Sequence, residues 1–369
     1  MHRTPFPKIL ALFLICSFSL CSSLLGQKKA AVEVDVTKCW SYPLGDTASE
    51  RIASDGSSVF LAMGGAKVEA LSVDGKKIWS SEFGGAISSN ILVADSGLFL
   101  VTSTISSDAV KTGGSILRSI SKETGITTWT LKLPDAERHF LDSFNGAVIV
   151  VSKNGAIVSI DAKNGNVKWK REITEGFVAK PAFTGASVIV ATTGKQIFGV
   201  SLATGEVDSM RKVPYVVTAL NAAANGETIE GDERGNVSAL NGTDKPIWKF
   251  KTGGEISSIF AVGDHLLVTS HDNFVYFLVG RNGGRVWKKR LAGRVAQIAN
   301  VMDRYALISS FEEHGAVLTF LSNGRVAGQI KLGEDETFTS PPIVSNGLIF
   351  ALSNKTANAY SLNGCPVKK

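Results

Sequence analysis

The stretch that decides the fold is Ser159–Trp169, S-I-D-A-K-N-G-N-V-K-W. Apolar residues alternate with polar ones on both sides of its Asn-Gly pair. Asn-Gly favours the positive φ angles of a tight hairpin turn, so the stretch predicts a strand, a turn and a second strand. Trp169 lies on the second strand, four residues after Gly165. The same unit recurs along the chain.

All six tryptophans occupy one position of this repeat. They are Trp40, Trp79, Trp129, Trp169, Trp248 and Trp287. Their successive spacings are 39, 50, 40, 79 and 39 residues, and the longest interval contains one further unit, with Ser209 in the tryptophan position. A last unit has Gly328 there. Eight units of short strands with a period near 40 predict an all-β fold, an eight-bladed β-propeller of four-stranded antiparallel blades.

The two ends of the chain complement each other. Ile343–Leu362 supplies three strands of the last blade, and Lys38–Leu44 is a spare strand at the other end. Pairing them completes the eighth blade and removes free sheet edges. We therefore predict one propeller domain over residues 38–369, closed by its N-terminal strand.

The repeat also carries a family resemblance. The pattern A-x-D-x-x-x-G-x-x-x-W resembles the repeat of PQQ-type (quinoprotein-like) β-propellers, and Ser159–Trp169, Ser119–Trp129 and Ala70–Trp79 match it best. The number of units and the length are similar to those of the propeller lipoproteins of the outer-membrane β-barrel assembly machine. The resemblance covers nearly all of the chain after the N-terminus. It implies the fold, which carries both enzymes and scaffolds.

The N-terminus has the pattern of an export signal. Residues 1–26 combine a basic start, the apolar run Ile9–Cys16 and a small, polar end, which predicts a signal peptide cleaved near Gly26. Lipidation at Cys16 or Cys21 is the alternative, although Ile15 and Leu20 before them do not fit a lipobox. Residues 27–37 are expected to be a flexible lead-in. The resulting location is the periplasm or the periplasmic face of the outer membrane.

The remaining cysteines and the charge narrow the class of protein. Beyond the signal only Cys39 and Cys365 remain, which in an exported chain predicts a disulfide across the closure; two unpaired buried thiols are the alternative. The net charge is +6, of which Arg3 and Lys8 of the signal contribute two. The sequence shows no basic patch with stacking aromatic residues, which is the pattern that would indicate binding of nucleic acid.

The tryptophans are expected to pack over the joints between neighbouring blades, with each N–H reaching a backbone carbonyl of the next blade. A role as cofactor platforms is the alternative. The two units without a tryptophan leave two joints to be filled by other residues. We expect Met210 to fill the joint at Ser209, whereas nothing obvious fills the joint at Gly328. These two joints are expected to be either the loosest of the ring or repacked by neighbours such as Phe320.

No sequence motif indicates catalysis or metal binding. His271-Asp272-Asn273 and Glu312-Glu313-His314 are either a metal or acid–base site or, as we favour, polar turns in solvent, and Glu137-Arg138-His139 is expected to be a polar connection. The resemblance implies, for a quinoprotein dehydrogenase, adjacent cysteines below the quinone and a calcium ion nearby. The predicted mature chain has no adjacent cysteines. We expect no cofactor and no enzymatic activity.

The remaining hypothesis is a binding scaffold. Turns between second and third strands share one face, which carries the enlarged loop Thr104–Gly114 and both histidine clusters. We predict a monomeric scaffold that binds envelope proteins there, including β-barrel assembly components, and meets the membrane only through a lipid anchor or a partner. Alternatives are a quinoprotein dehydrogenase, a ligand-sensing propeller, and a loop without a role. The predicted partner face comprises Thr104, Asp108, Lys111, Gly114, His271, Asp272, Asn273, Glu312, Glu313 and His314.

Overall fold

The structure, a computed structural model, describes residues 34–45, 49–104, 114–223, 227–241, 245–310 and 314–365, within one compact unit, Val32–Lys369. They form eight antiparallel sheets, one per blade, and the first strand of blade 2 is split into two short pieces. This confirms the predicted eight-bladed propeller. None of these residues belongs to a helix with the length and apolar character needed to cross a membrane.

The strands follow each other blade by blade. Blade 1 consists of β2 (Ser49–Ser54), β3 (Ser58–Met63), β4 (Lys67–Ser72) and β5 (Lys77–Glu82), and blade 2 of β6 (Ala86–Ile87), β7 (Leu92–Ala94), β8 (Gly97–Ser103), β9 (Ser115–Ile120) and β10 (Thr127–Leu133). Blade 3 consists of β11 (His139–Phe144), β12 (Ala147–Ser152), β13 (Ala156–Asp161) and β14 (Val167–Glu172). Blade 4 consists of β15 (Ala182–Phe183), β16 (Ser187–Ala191), β17 (Gln196–Ser201) and β18 (Val207–Lys212). A 3-10 turn, Gly64–Ala66, joins β3 to β4.

Blades 5 to 8 repeat this order. Blade 5 consists of β19 (Val217–Ala222), β20 (Thr228–Asp232), β21 (Asn236–Leu240) and β22 (Trp248–Lys251), and blade 6 of β23 (Ile256–Val262), β24 (His265–Ser270), β25 (Phe274–Val279) and β26 (Arg285–Arg290). Blade 7 consists of β27 (Val295–Val301), β28 (Tyr305–Ser310), β29 (Gly315–Phe320) and β30 (Val326–Lys331). Blade 8 consists of β31 (Ile343–Ser345), β32 (Leu348–Leu352) and β33 (Thr356–Ser361), with β1 (Thr37–Pro43) as its fourth strand.

The ring is closed as the sequence predicts. Strand β1 pairs with β33 in antiparallel register from Thr37 opposite Ser361 to Pro43 opposite Thr356. A disulfide joins Cys39 to Cys365, whose Cα atoms lie 5.3 Å apart, across a sequence separation of 326 residues. The predicted closure and the predicted disulfide are both confirmed.

The hydrophobic core lies between the blades. Eight clusters of buried apolar side chains each join two neighbouring blades, so the described residues contain one cluster per joint. At the joint of blades 2 and 3, for example, Phe99 and Val101 pack against Val148 and Ile160. The core is therefore a ring of interfaces rather than a single centre.

A tryptophan and a glycine meet at six of these joints. Each indole N–H donates to a backbone carbonyl of the next blade, over 2.7–3.2 Å. Each ring lies on the turn glycine of that blade, where an added Cβ would come within 2.4–2.9 Å of the ring atoms. The pairs are Trp40 with Gly75, Trp79 with Gly125, Trp129 with Gly165, Trp169 with Gly205, Trp248 with Gly283 and Trp287 with Gly324. The glycine therefore serves both the turn of its own blade and the indole of the preceding one.

A bulge in the fourth strand precedes the tryptophan position. In seven blades the register of the third and fourth strands shifts there, as between Thr127 and Trp129. A bulge adds one unpaired residue and changes the direction of the side chain that follows. The shift accompanies each of these tryptophan positions, including those held by Ser209 and Gly328.

The joint of blades 4 and 5 lacks a tryptophan, and the prediction that Met210 fills it is wrong. The side chain of Met210 is 56% exposed. Successive strand residues point to opposite sides, so Met210 cannot share the side of Ser209, whereas Arg211, two positions after Ser209, can. Arg211 forms an ion pair with Glu230 of blade 5. The cluster at this joint has six buried members and no aromatic ring, against at least ten buried members in each of the others.

The joint of blades 7 and 8 is filled by the chain before β1. The Val34 N–H donates to the carbonyl of Ala327 over 2.9 Å. A Cβ at Gly328 would meet the Val34 carbonyl at 2.8 Å and Val36 at 3.1 Å, so the missing side chain provides space for this segment. Phe320 packs against the same cluster.

Replacing a turn glycine beneath an indole is expected to be costly. Gly125→Ala places a methyl group against Trp79 at a φ of +73° and should lower the free energy of unfolding by about 3 kcal/mol, through backbone strain and overpacking. Gly146→Ala is the matched control, because Gly146 has a φ of +72° and no heavy atom within 4 Å of the added Cβ. Urea unfolding of both variants measures the difference, and equal losses would contradict a role for the ring contact.

Removing the disulfide is expected to destabilise the closed ring. The Cys39→Ala/Cys365→Ala variant should lose about 2–5 kcal/mol of unfolding free energy, because the unfolded chain is no longer cross-linked. Guanidinium unfolding with and without dithiothreitol measures this. The reductant should lower the midpoint of the natural chain and leave that of the variant unchanged; an unchanged midpoint in both would show that the cross-link contributes nothing.

Candidate partner-binding face

The candidate face lies at the end of the blades where second strands turn into third strands. In an antiparallel blade the connections to the next blade lie at this same end, so each blade contributes two loops to the face. Thr104, Gly114, His271, Asp272, Asn273 and His314 lie in these turns. Asp108, Lys111, Glu312 and Glu313 lie outside the described residues.

Those of the predicted residues that the structure describes share the face but form two separate groups. His271–Asn273 lie in blade 6 and His314 in the adjacent blade 7, whereas Thr104 and Gly114 belong to blade 2. Blades 8 and 1 lie between the groups on the shorter path around the ring. A partner that contacts both groups has to extend across these two blades.

The base of the enlarged loop is closed by hydrogen bonds between Thr104 and Gly114. The Thr104 N–H donates to the Gly114 carbonyl over 3.2 Å, and the Gly114 N–H donates to the Thr104 hydroxyl over 2.9 Å. Thr104 is exposed. The antiparallel pairing of β8 with β9 therefore continues to the first described residue on each side of the loop.

A buried histidine lies directly below this base. His139, the first residue of β11, is fully buried, although the sequence indicated a polar connection there. Its Nδ1 lies 2.9 Å from the Ser152 hydroxyl and its Nε2 lies 3.1 Å from the hydroxyl of Ser115, the first residue of β9. Burial lowers the pKa of His139 from 6.5 to about 4. The neutral ring thus joins the loop base in blade 2 to blade 3.

The sequence contains a signal for this histidine. In H-F-L-D-S-F, His139 and Leu141 alternate with Phe140 and Asp142. A period of two places His139 on the same side of the strand as Leu141, and both are buried. The acidic and basic neighbours Glu137 and Arg138 obscured that alternation.

Asp272 is occupied by structural hydrogen bonds. Its carboxylate accepts from the Gly253 N–H (2.8 Å), the Tyr276 hydroxyl (2.6 Å) and the Phe274 N–H (3.1 Å). Burial, and then the hydrogen bond to Asp272, raise the pKa of Tyr276. Asp272 thereby holds its turn against the connection between blades 5 and 6. His271 lies beside Glu255 of that connection, with 3.7 Å between Nδ1 and Oε2.

The same kind of bond recurs around the face and was missed by sequence reasoning. A polar side chain in one loop of a blade bonds to the backbone of the other loop in four further blades. These bonds are Asn154 to the Asp135 carbonyl, the Gly194 N–H to Glu175, the Val216 N–H to Glu233, and Asn354 to the Asp335 carbonyl. The only signal in the sequence was an acid or amide beside each turn. Together with the bond of Asp272, these bonds fasten the two loops to each other in five of the eight blades. Nowhere in the described ranges do three His, Cys, Asp or Glu side chains gather as metal ligands.

The sequence matches the model of a known protein family. The sequence model of the family described as outer membrane protein assembly factor BamB matches residues 30–140, 112–208 and 212–363. No curated protein matches the chain.

Three solved structures share the fold. BamB from Moraxella catarrhalis is 15% identical, with a TM-score of 0.68 over 90% of this chain and 100% of that chain. The computationally designed Ika8 protein is 11% identical, with a TM-score of 0.71 over 88% and 98%. Quinohemoprotein alcohol dehydrogenase from Comamonas testosteroni is 11% identical, with a TM-score of 0.67 over 93% and 79%. At these identities the structures show a common fold.

The buried histidine predicts sensitivity to acid. Because the folded protein lowers the pKa of His139, its stabilising contribution is full above pH 6.5 and is lost as the pH falls towards 4, by about 3 kcal/mol in total. His139→Asn should remove this part of the pH dependence. Urea midpoints between pH 7.5 and 4 measure it, with His271→Asn, a partly exposed histidine on the same face, as control. A His139→Asn profile parallel to that of the natural chain would contradict the assignment.

Proposed function

Since the chain belongs to the family described as outer membrane protein assembly factor BamB, we propose that it is an exported, non-enzymatic scaffold that binds a protein partner during outer-membrane assembly. The observation that carries the proposal is the extent of the family match, which runs through all eight blades. A rigid ring that presents loops is sufficient for such a role.

The face that carries Thr104 and Gly114 is the proposed binding surface. It presents the enlarged loop of blade 2 and the turns at His271–Asn273 and His314. The buried His139 fixes the base of the blade 2 loop to blade 3, and Asp272 fixes its turn to the connection between blades 5 and 6. A preorganised surface loses less conformational entropy on binding.

Export is part of the proposal. The disulfide between Cys39 and Cys365 supports an oxidising compartment, since such bonds persist outside the cytosol. We propose the periplasm, with residues 1–26 as the export signal and, as alternatives, release by cleavage or attachment by a lipid on Cys16 or Cys21. Both alternatives leave the propeller itself unchanged.

The quinoprotein dehydrogenase alternative rests on a shared fold alone. Such an enzyme is expected to hold its quinone against adjacent cysteines. Here the two cysteines that follow the proposed signal are bonded to each other across the ring closure. The observations thus favour the scaffold, and the proposal includes neither a quinone nor a metal.

Shortening the enlarged loop should weaken partner capture. Replacing residues 105–113 by a short Gly-containing turn preserves the bonds between Thr104 and Gly114, so the fold should be retained while binding falls roughly tenfold or more. The measurement is capture of assembly components from solubilised envelope by the tagged chain, quantified by mass spectrometry.

The control changes the opposite face. Lys163→Ala/Asn164→Ala alters an exposed turn between the third and fourth strands of blade 3 and should leave capture intact. If this control loses capture while the chain with the shortened loop captures normally, the proposal has assigned binding to the wrong face. Circular dichroism verifies that both variants are folded.

A further inference from the structure

The fourth strands form the outer wall of the ring, and their charge is uneven. In blades 3 to 6 these strands carry eleven Lys and Arg residues and two acidic ones. The basic residues are Lys168, Lys170, Arg171, Arg211, Lys212, Lys249, Lys251, Arg285, Lys288, Lys289 and Arg290, and the acids are Glu172 and Asp208. The same strands of the other four blades carry four basic residues and one acid, namely Lys38, Lys77, Lys132, Lys331 and Glu82. The basic sector covers half of the wall.

Many of these cations are exposed, and one of them, Lys288, lies over the ring of Phe274, 4.7 Å from its centroid. Lys170, Lys212, Lys249, Arg285, Lys288 and Arg290 are exposed, and within the part of the chain that the structure describes they form no ion pair. Like charges at this density repel each other, which costs stability unless an anion binds. The sector is therefore complementary to an acidic ligand.

Apolar side chains lie among the cations. Val167, Val207, Met210, Ile247 and Val286 on or next to the same strands are between 37% and 56% exposed. All but one of the six residues of β18 are exposed. The wall thus offers aliphatic contacts as well as charge. A purely ionic ligand would not use the aliphatic contacts.

Shape decides among anionic partners. Four consecutive blades of eight follow half of a circle, so the sector is convex. A flat bilayer contacts neighbouring blades and not all four, whereas a flexible chain follows the whole curve. Nucleic acid favours stacking aromatics, and the exposed apolar residues on these strands are aliphatic.

We propose that the outer wall of blades 3 to 6 binds an acidic, extended protein segment that contains aliphatic residues. This deepens the proposed function, from which it takes the class of partner, but it uses a surface separate from the loop face. The acidic side chains of the segment pair with the exposed cations, and its aliphatic side chains cover Val207, Met210 and Val286. Disordered acidic segments are suited to wrapping a surface of this kind.

The probe is a fluorescein-labelled synthetic peptide rich in Glu, Asp and Leu, and its counterpart has Lys at every acidic position. Anisotropy titration with the full chain should show binding of the acidic peptide that weakens with salt, and no binding of the basic one. Lys170→Glu/Lys249→Glu/Arg290→Glu should weaken binding roughly tenfold or more. The matched control Lys77→Glu/Lys132→Glu/Lys331→Glu reverses three exposed charges on the other half of the wall and should bind nearly as the natural chain does.

The outcomes separate this inference from its alternatives. Failure of the natural chain to bind the acidic peptide, or equal losses in the two triple variants, overturns it. Tighter binding to phosphatidylglycerol vesicles or to a single-stranded oligonucleotide overturns the choice of a protein segment. The chain with residues 105–113 replaced should bind the peptide normally, so failure of the loop face leaves the result for the wall intact.

Discussion

The structure depends on one contact, an indole ring lying on a glycine that has no side chain. The ring belongs to one blade and the glycine to the next, so neither blade completes the interface alone. At Trp79 and Gly125 the contact combines burial of the ring, a hydrogen bond to the Lys122 carbonyl, and a backbone conformation that glycine adopts freely. The contact recurs at six of the eight joints and gives these neighbouring blades the same interface.

The repeat explains why so much of the fold was predictable. Tryptophan spacing and turn signals predicted the blades, the strand missing from the last unit predicted the closure by β1, and the two cysteines left after the signal predicted the disulfide. The joint at Ser209 was predicted wrongly, because Met210 was judged by its adaptable side chain and not by the side of the strand on which it lies. The filling of the Gly328 joint by Val34 and Val36 was not predictable, since it joins residues nearly 300 positions apart with no repeat relation.

The candidate site was predictable to a lesser degree. The topology alone assigns His271–Asn273 to one face, but chain order could not show that the carboxylate of Asp272 is already satisfied by three donors. In the same way, the charged neighbours of His139 concealed its role in the sequence. Its side chain reaches from blade 3 to Ser115 at the base of the blade 2 loop. Polar residues on this face fasten the architecture, whereas on the outer wall some cations, such as Arg211, pair within the fold and others, such as Lys170 and Lys249, are exposed to solvent or a ligand.

The disulfide between Cys39 and Cys365 has a mechanical consequence. Tension applied to the segment before β1 first breaks the hydrogen bond of Val34 to Ala327 and then reaches Cys39 after five residues. From there the load passes covalently to the far end of the chain. It is then borne by both strands of the closing pair, the outer strand β1 and its neighbour β33, so strand β1 cannot be pulled away from the ring on its own. The propeller therefore resists pulling at the closure, where the two ends of the chain meet.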